Sequence, residues 1–366
     1  MQIQEQLTAA GLRVWLSRTS ALDHYLRLGY PGLTFLDVDG TLVDVARAFE
    51  HVQYPGLEGL DAHVIDPEAG DVYIRCVESQ ERPVEEWLPP LSLRFDLERS
   101  TFEDPANMYR TIRRRAFSLQ YSDTQSLEVV LAAALLAGRY GFTLEHSDAL
   151  KLPPQPRSLD EAEHRLLMTL ILTGKQPEKG LAILKSSGFI ERYWPLLAPM
   201  DDTDHSKEFH PEGNVWQHSL ETFRYRKTND LAVGLALLLH DCGKPFADSE
   251  GEHRFKDHAD IGAEYARRFL RDLGFSHTLT DEVRWLIKYH MIPGAIETLP
   301  RFRTRDIMRS PRFPRLLEVY RCDLSSTFRG PDGYYRACKV YRSFLKHDAN
   351  PFRDEEGKKL LHRFVD

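Results

Sequence analysis

The chain has 366 residues, 42% of them apolar and 28% charged, and carries a net charge of −7. That length supports two or three domains with full hydrophobic cores, and the balance is that of a globular protein, not a disordered or fibrous one. The net charge gives no overall attraction to DNA, and no run approaches the roughly 18 uninterrupted apolar residues of a membrane span, so neither DNA nor a membrane is expected as a partner.

The opening "MQIQEQLTAAGLRVWL" lacks the basic-then-apolar layout of a signal peptide, so the expected location is cytoplasmic. Cys76, Cys242, Cys322 and Cys338 are far apart and form no CxxC pair. This argues for reduced, structural thiols and against a zinc ribbon or a disulfide framework.

Up to about Glu103 the sequence mixes short strand-like runs ("LTFLDVD", "DVYIRCVES", "LSLRFDL") with Gly- and Pro-rich turns, the texture of an α+β segment. "LTFLDVDGTLVD" (Leu33 to Asp44) ends a strand on Asp-Val-Asp-Gly-Thr, which by itself resembles the nucleophile motif of the haloacid-dehalogenase phosphatases. That fold needs a doubly wound sheet, a downstream lysine and a second acidic pair at a strand end. Past Pro105 the chain is helical almost throughout, which leaves no room for it.

The helical part begins with "SLEVVLAAALLAGRYGF", "LDEAEHRLLMTLILTG" and "EKGLAILKSSGFIERYWPLL", each with apolar residues at three- and four-residue spacing. In "KLPPQPRSLDEAEHR" the pattern predicts Ser158 as an N-cap, with Glu161 completing a capping box. Two basic runs, Tyr109 to Arg115 and the span from Arg301 to Arg321, read as solvated helix faces.

Beyond Asp201 histidines become dense. "FHPEGNVWQHSLETF", "LAVGLALLLHDCGKPF", "FKDHADIGAEYARRFL", "VRWLIKYHMIPG" and "RLLEVYRCDLSSTF" are helical by pattern, and each carries a His or Asp near a helix end or on an apolar face. A nearly all-apolar helix that presents His240 and Asp241 just before Gly-Lys-Pro is costly unless something binds them, and a divalent metal is the natural partner. Imidazole and carboxylate ligands without thiolate suit a hydrolytic centre that keeps a position open for water.

The order His218, His240-Asp241, Asp323 resembles the H…HD…D signature of the HD superfamily of metal-dependent phosphohydrolases. The resemblance implies that these four residues hold a first divalent ion. His258 and His290 fall where two-metal members place extra histidines, and Lys244 stands where a phosphate-contacting lysine is common. Asp241 and Lys244 are the residues expected to act in catalysis. Mg²⁺, Mn²⁺, Ni²⁺ or Fe²⁺ is the expected cofactor, as one or two ions.

"LAAALLAGRYGFTLE", "PEKGLAILKSSGFIERYWPLL" and "EFHPEGNVWQHSLET" together resemble the neck and HD domain of bacterial tRNA nucleotidyltransferases, the CCA-adding and poly(A) polymerase-like family. The resemblance implies an α+β chain with a small polymerase-β-like nucleotidyltransferase-type α/β domain at 1–104, an all-α helical neck at 105–200, an all-α HD domain at 201–345 and a helical tail at 346–366. In register, Asp37 and Asp39 fall on the family's metal-binding Asp-x-Asp strand, and Asp23 on a further aspartate. The family's phosphate-cradling Gly-Gly falls on Arg18 and Thr19, and its arginine on Leu22. Its Arg-Arg-Asp falls on Glu85, Glu86 and Trp87, and the neck lacks the family's arginines. These losses imply an inactive nucleotidyltransferase domain.

The resulting expectation is a metal-dependent phosphohydrolase acting on a phosphomonoester or phosphodiester. Its partner is a phosphate-containing small molecule or an RNA end, tRNA included. Two alternatives stay open: an active CCA-adding tRNA nucleotidyltransferase using Asp37 and Asp39, and a non-catalytic RNA- or protein-binding module.

Overall fold

Strand-forming runs fill the first part of the chain in the structure, a computed structural model that describes residues 2–28, 32–57, 59–66, 70–77, 88–119, 125–204, 213–248, 255–327 and 329–347. Glu85, Glu86, Trp87 and the tail beyond 347 lie outside the described residues. The chain divides into two compact units, Met1–Ala133 with Phe142–His164, and Ala134–Gly141 with Arg165–Asp366.

The first unit opens with α1 (Gln2–Ala9), β1 (Arg13–Leu16), α2 (Arg18–Tyr25), β2 (Leu33–Asp39) and α3 (Leu42–Ala48). It continues with β3 (Ala62–Asp66), β4 (Gly70–Val77), β5 (Arg94–Asp96) and β6 (Thr101–Glu103). These strands form one sheet in the order β3-β4-β2-β1-β5-β6, in which β2 and β4 run parallel and the other neighbours antiparallel. Leu36 and Val38 of β2 join Ile3, Leu7 and Val45 in the core on one face. Strand alternation therefore puts Asp37 and Asp39 on the other face. The "DGTLVD" stretch after β2 is a helix start: Thr41 and Asp44 exchange bonds in a capping box at the head of α3.

Helical periodicity then takes over with α4 (Tyr109–Arg114), α5 (Leu127–Tyr140) and α6 (Glu161–Leu172). Two three-residue strands that the helical pattern hides, β7 (Ala116–Ser118) and β8 (Thr143–Glu145), pair in parallel; so short a strand carries no readable period. The capping box of α6 is set by Asp160 and Glu163, not by Ser158 and Glu161. Asp160 Oδ1 accepts from Glu163 N at 2.8 Å, and Glu163 Oε2 accepts from Asp160 N at 3.0 Å. Arg157 explains the shift, because its Nη2 donates to Glu163 Oε1 at 2.8 Å and fixes that carboxylate over the helix start.

The second unit is helical: α7 (Pro177–Ser186), α8 (Phe189–Tyr193), α9 (Val215–Thr222), α10 (Leu231–Leu239), α11 (His258–Asp272), α12 (His277–Tyr289), α13 (Ile292–Ala295), α14 (Arg301–Arg309), α15 (Phe313–Ser325) and α16 (Asp332–His347). The predicted single run through "EKGLAILKSSGFIERYW" breaks between α7 and α8, where Gly188 takes φ +86°. The apolar α10 packs against α9, α12 and α15 and has eight of its nine residues buried. A helix apolar on all sides is stable only in such a central place. All four cysteines are unpaired thiols.

Replacing Asp160 with Ala removes the N-cap acceptor of α6 and should cost about 1 kcal/mol; a urea melt of the variant beside wild type reads this, and an unchanged midpoint would refute the assignment of the cap.

Candidate metal centre

Five helices bring the predicted residues of the second unit together. His218 lies in α9, whose N-cap Asn214 accepts from Gln217 N at 2.8 Å. His240 caps the C-terminus of α10, and Asp241 follows it. His258 is the first residue of α11, His290 the C-cap of α12, and Asp323 lies in the last turn of α15. His218, His240, Asp241 and His290 are all at most 2% exposed.

Their ligand-type atoms fall into two groups, His218–His240–Asp323 and Asp241–His258–His290, with the atoms of each group within 4.8 Å of one another. In the first, His218 Nε2 is 3.0 Å from Asp323 Oδ1 and 3.3 Å from His240 Nε2. In the second, His258 Nε2 is 3.4 Å from His290 Nε2. Asp241 joins the two: its Oδ2 is 3.3 Å from His240 Nε2, and its Oδ1 is 3.5 Å from His258 Nε2 and 3.9 Å from His290 Nε2.

The other ring nitrogens decide what these distances mean. Nδ1 of His240, His258 and His290 faces the backbone carbonyl three residues earlier, Leu237 O at 3.0 Å, Phe255 O at 2.8 Å and Ile287 O at 2.7 Å. A carbonyl can only accept, so each Nδ1 carries the proton and each Nε2 a lone pair. His218 Nδ1 lies 3.3 Å from Ser326 Oγ, whose own proton goes to Asp323 O at 2.6 Å, so His218 is in the same tautomer. Lone pairs facing lone pairs and carboxylates at 3.3–3.9 Å repel one another unless a cation lies between them.

Protons are poor candidates for that cation in the second group. Burial lowers the pKa of His258 and pushes His290 down to about 4. The donor set therefore fits a divalent metal of the nitrogen- and oxygen-binding kind, with His218, His240, Asp323 and one Asp241 oxygen on one side and His258, His290 and the other Asp241 oxygen on the other.

Lys244 donates from Nζ to Asp241 Oδ2 at 2.7 Å, so the predicted phosphate contact is tied to the shared carboxylate. It lines a cavity of about 890 Å³ over the cluster, together with His258, Tyr320, Asp323, Arg329 and Arg336. Sequence reasoning did not find Ser326, whose signal is its place three residues after Asp323, nor the arginines of the cavity, Arg329 before α16 and Arg336 within it. It also read Gly243 only as a helix stop. A Cβ there would meet His258 O at 2.1 Å and Gly262 N at 2.5 Å, so the bare backbone lets the His-Asp turn press against the first turn of α11.

In the first unit Asp37 is fully buried. Arg75 Nε donates to its Oδ1 at 2.9 Å and Nη2 to its Oδ2 at 2.8 Å, while Arg94 Nη1 lies 3.9 Å from Oδ2. Trp15, opposite Asp37 in the β1–β2 register, has the guanidinium groups of Arg94 and Arg13 at 4.3 and 4.6 Å from its ring. A guanidinium fork thus holds the carboxylate expected to bind metal. Arg75 was legible as a lone charge inside the apolar run "VYIRCV". Asp39, at the end of β2, is only partly buried, and Asp23 is buried in α2. Arg18 takes φ +49°, in the left-handed region that glycine adopts more easily than arginine.

Two substitutions test these placements. Gly243→Ala should displace α11 from Asp241 and remove the contribution of His258 and His290, cutting bound metal per chain relative to wild type; equal metal content by elemental analysis would refute it. Arg75→Gln should leave a buried, unpaired carboxylate and destabilise the first unit by about 3–5 kcal/mol. Adding Asp37→Asn should recover much of that loss in a chemical melt, and additive losses would disprove the pairing.

Comparison with known proteins agrees with this layout. Residues 214–323 match the HD domain family. Over 232 residues the chain is 27% identical to the CC-adding tRNA nucleotidyltransferase of Thermus thermophilus, covering 60% of this chain and 50% of that protein. It is 30% identical over 152 residues to a bifunctional uridylyltransferase/uridylyl-removing enzyme of Rhodospirillum rubrum, covering 36% of this chain and 15% of that one. The matched segments thus span half or less of these relatives. The crystal structure of the Bacillus stearothermophilus CCA-adding enzyme in complex with CTP superposes with a TM-score of 0.57 at 14% identity, covering 95% of this chain and 82% of that one, a likeness of fold. The chain therefore carries an HD domain at 214–323, has the CCA-adding enzyme fold and is similar in sequence to tRNA nucleotidyltransferases.

Proposed function

We propose that the second unit is a metal-dependent phosphohydrolase and that the first unit does not transfer nucleotides. The observation that carries the first part is the pair of buried His/carboxylate groups joined through Asp241 at the floor of an open cavity. Divalent metal bound there supplies Lewis acidity, lowering the pKa of water and polarising a phosphoryl oxygen.

The chain's own residues set up the rest. Backbone carbonyls fix three imidazoles with Nε2 inward, so the donor atoms are preorganised before anything binds. Lys244, held beside Asp241, presents an ammonium where charge on a phosphoryl group would develop. Arg329 and Arg336 also line this cavity, whose volume of about 890 Å³ has room for a nucleotide-sized phosphoester. The substrate class is a phosphomonoester or phosphodiester, a nucleotide or an RNA end. The names of the relatives, which act on tRNA or add and remove uridylyl groups, support an RNA end or nucleotidyl linkage, with tRNA as one bearer.

The inactive first unit rests on the Asp37–Arg75 pair. Nucleotidyl transfer needs both strand carboxylates free for metal, and here a divalent ion would have to displace a bidentate guanidinium from a buried site.

Purified protein should contain divalent metal and hydrolyse bis(p-nitrophenyl) phosphate, with activity lost to a chelator and restored by Mn²⁺ or Ni²⁺. His240→Ala and Asp241→Ala should each lower the rate by about 100-fold or more. Turnover that survives either substitution would sink the hydrolase reading. Incorporation of CMP or AMP at a tRNA 3′ end, abolished by Asp37→Ala, would sink the second part.

A further inference from the structure

A second concavity in the helical unit shares no lining residue with the cavity over the histidines. It has a volume of about 780 Å³ and lies between the start of α7 and the segment after α9. Lys175, Lys179, Arg224, Arg226 and Lys227 line it, with Glu178 as the one acid among the lining residues.

Two of these cations have structural roles. Arg226 donates from Nη2 to Gly174 O at 2.6 Å and from Nη1 to Leu172 O, closing the C-terminal carbonyls of α6. Its donors meet neutral carbonyls, and it forms no ion pair among the described residues. Arg224 pairs with Glu221 at 3.1 Å on the helix surface. Lys175, Lys179 and Lys227 make no ion pair among the described residues, and the fold gives no structural reason for gathering them. Like charges facing one concavity repel, at a cost that an anion would relieve.

With Arg224 already paired to Glu221, four cations remain around so large an opening, more than a single small anion can neutralise, whereas a run of linked phosphates can. We propose that this cleft is a second anion site that binds a linear run of phosphates, supplied by a single-stranded RNA backbone or by a free oligophosphate. The proposal is independent of the hydrolase reading, because it uses none of the metal-centre residues.

The test uses the full chain and two probes, a fluorescein-labelled oligouridylate read by anisotropy and inorganic tripolyphosphate as direct ligand and competitor. The variant is Lys175→Ala/Lys179→Ala/Lys227→Ala, at exposed positions where folding is little affected. For the RNA source, the triple variant should bind the oligonucleotide at least tenfold more weakly. Its salt slope should fall by about 2, since each phosphate contact on a single strand contributes about 0.7. For the free-oligophosphate source, tripolyphosphate should bind wild type and not the variant, with no oligonucleotide binding. His240→Ala should leave either result unchanged, and hydrolysis of a small phosphodiester should be the same in the triple variant. Failure of wild type to bind either probe at low salt, or equal binding by the triple variant, overturns the proposal.

Discussion

The centre of the second unit depends on a constraint of charge: four imidazole nitrogens and two carboxylates are turned toward one another with their lone pairs exposed. A buried side chain normally avoids this, because unpaired acceptors facing one another in a low-dielectric interior repel strongly. Here the arrangement is enforced locally. His240 and His290 sit just past helix C-termini, where a carbonyl is left over from the helix, and each ring donates Nδ1–H to it. The capping bond that completes the helix also aims Nε2 at Asp241. The same few bonds thus end the helices, choose the tautomers and build the donor cluster.

The two units treat a buried carboxylate in opposite ways. Asp37 meets a fixed guanidinium two bonds strong, so its charge is compensated within the protein. Asp241 meets one ammonium and four imidazole nitrogens, so its environment stays electron-rich and open to a cavity. One is a completed ion pair and the other a cluster of donor atoms that fits a divalent cation. This contrast, more than any count of motif residues, is what the proposed hydrolase reading rests on.

Close backbone approach links the parts. Gly243 lets the His-Asp turn lie against α11, and without it His258 could not come within 3.5 Å of Asp241. On the sheet side of the chain, Arg18 holds a left-handed conformation that glycine would occupy more easily.

Much of this could be read from the sequence. Apolar periodicity located the long helices, alternation placed Asp37 and Asp39 on one face, and the His and Asp spacing selected the six residues that converge. These features are local, set by side-chain period and by which residues end a helix. Others depended on side-chain pairings that periodicity does not show. The α6 cap moved to Asp160 because Arg157 holds Glu163, and "DGTLVD" became a helix cap because Asp44 folds back on Thr41. Asp37 took a guanidinium partner because β4 lies parallel beside β2, 38 residues along the chain. Residue order and spacing were enough to pick out the groups able to bind a metal; which carboxylate already has a cation of its own follows from strand pairing, because that sets the neighbour brought beside it.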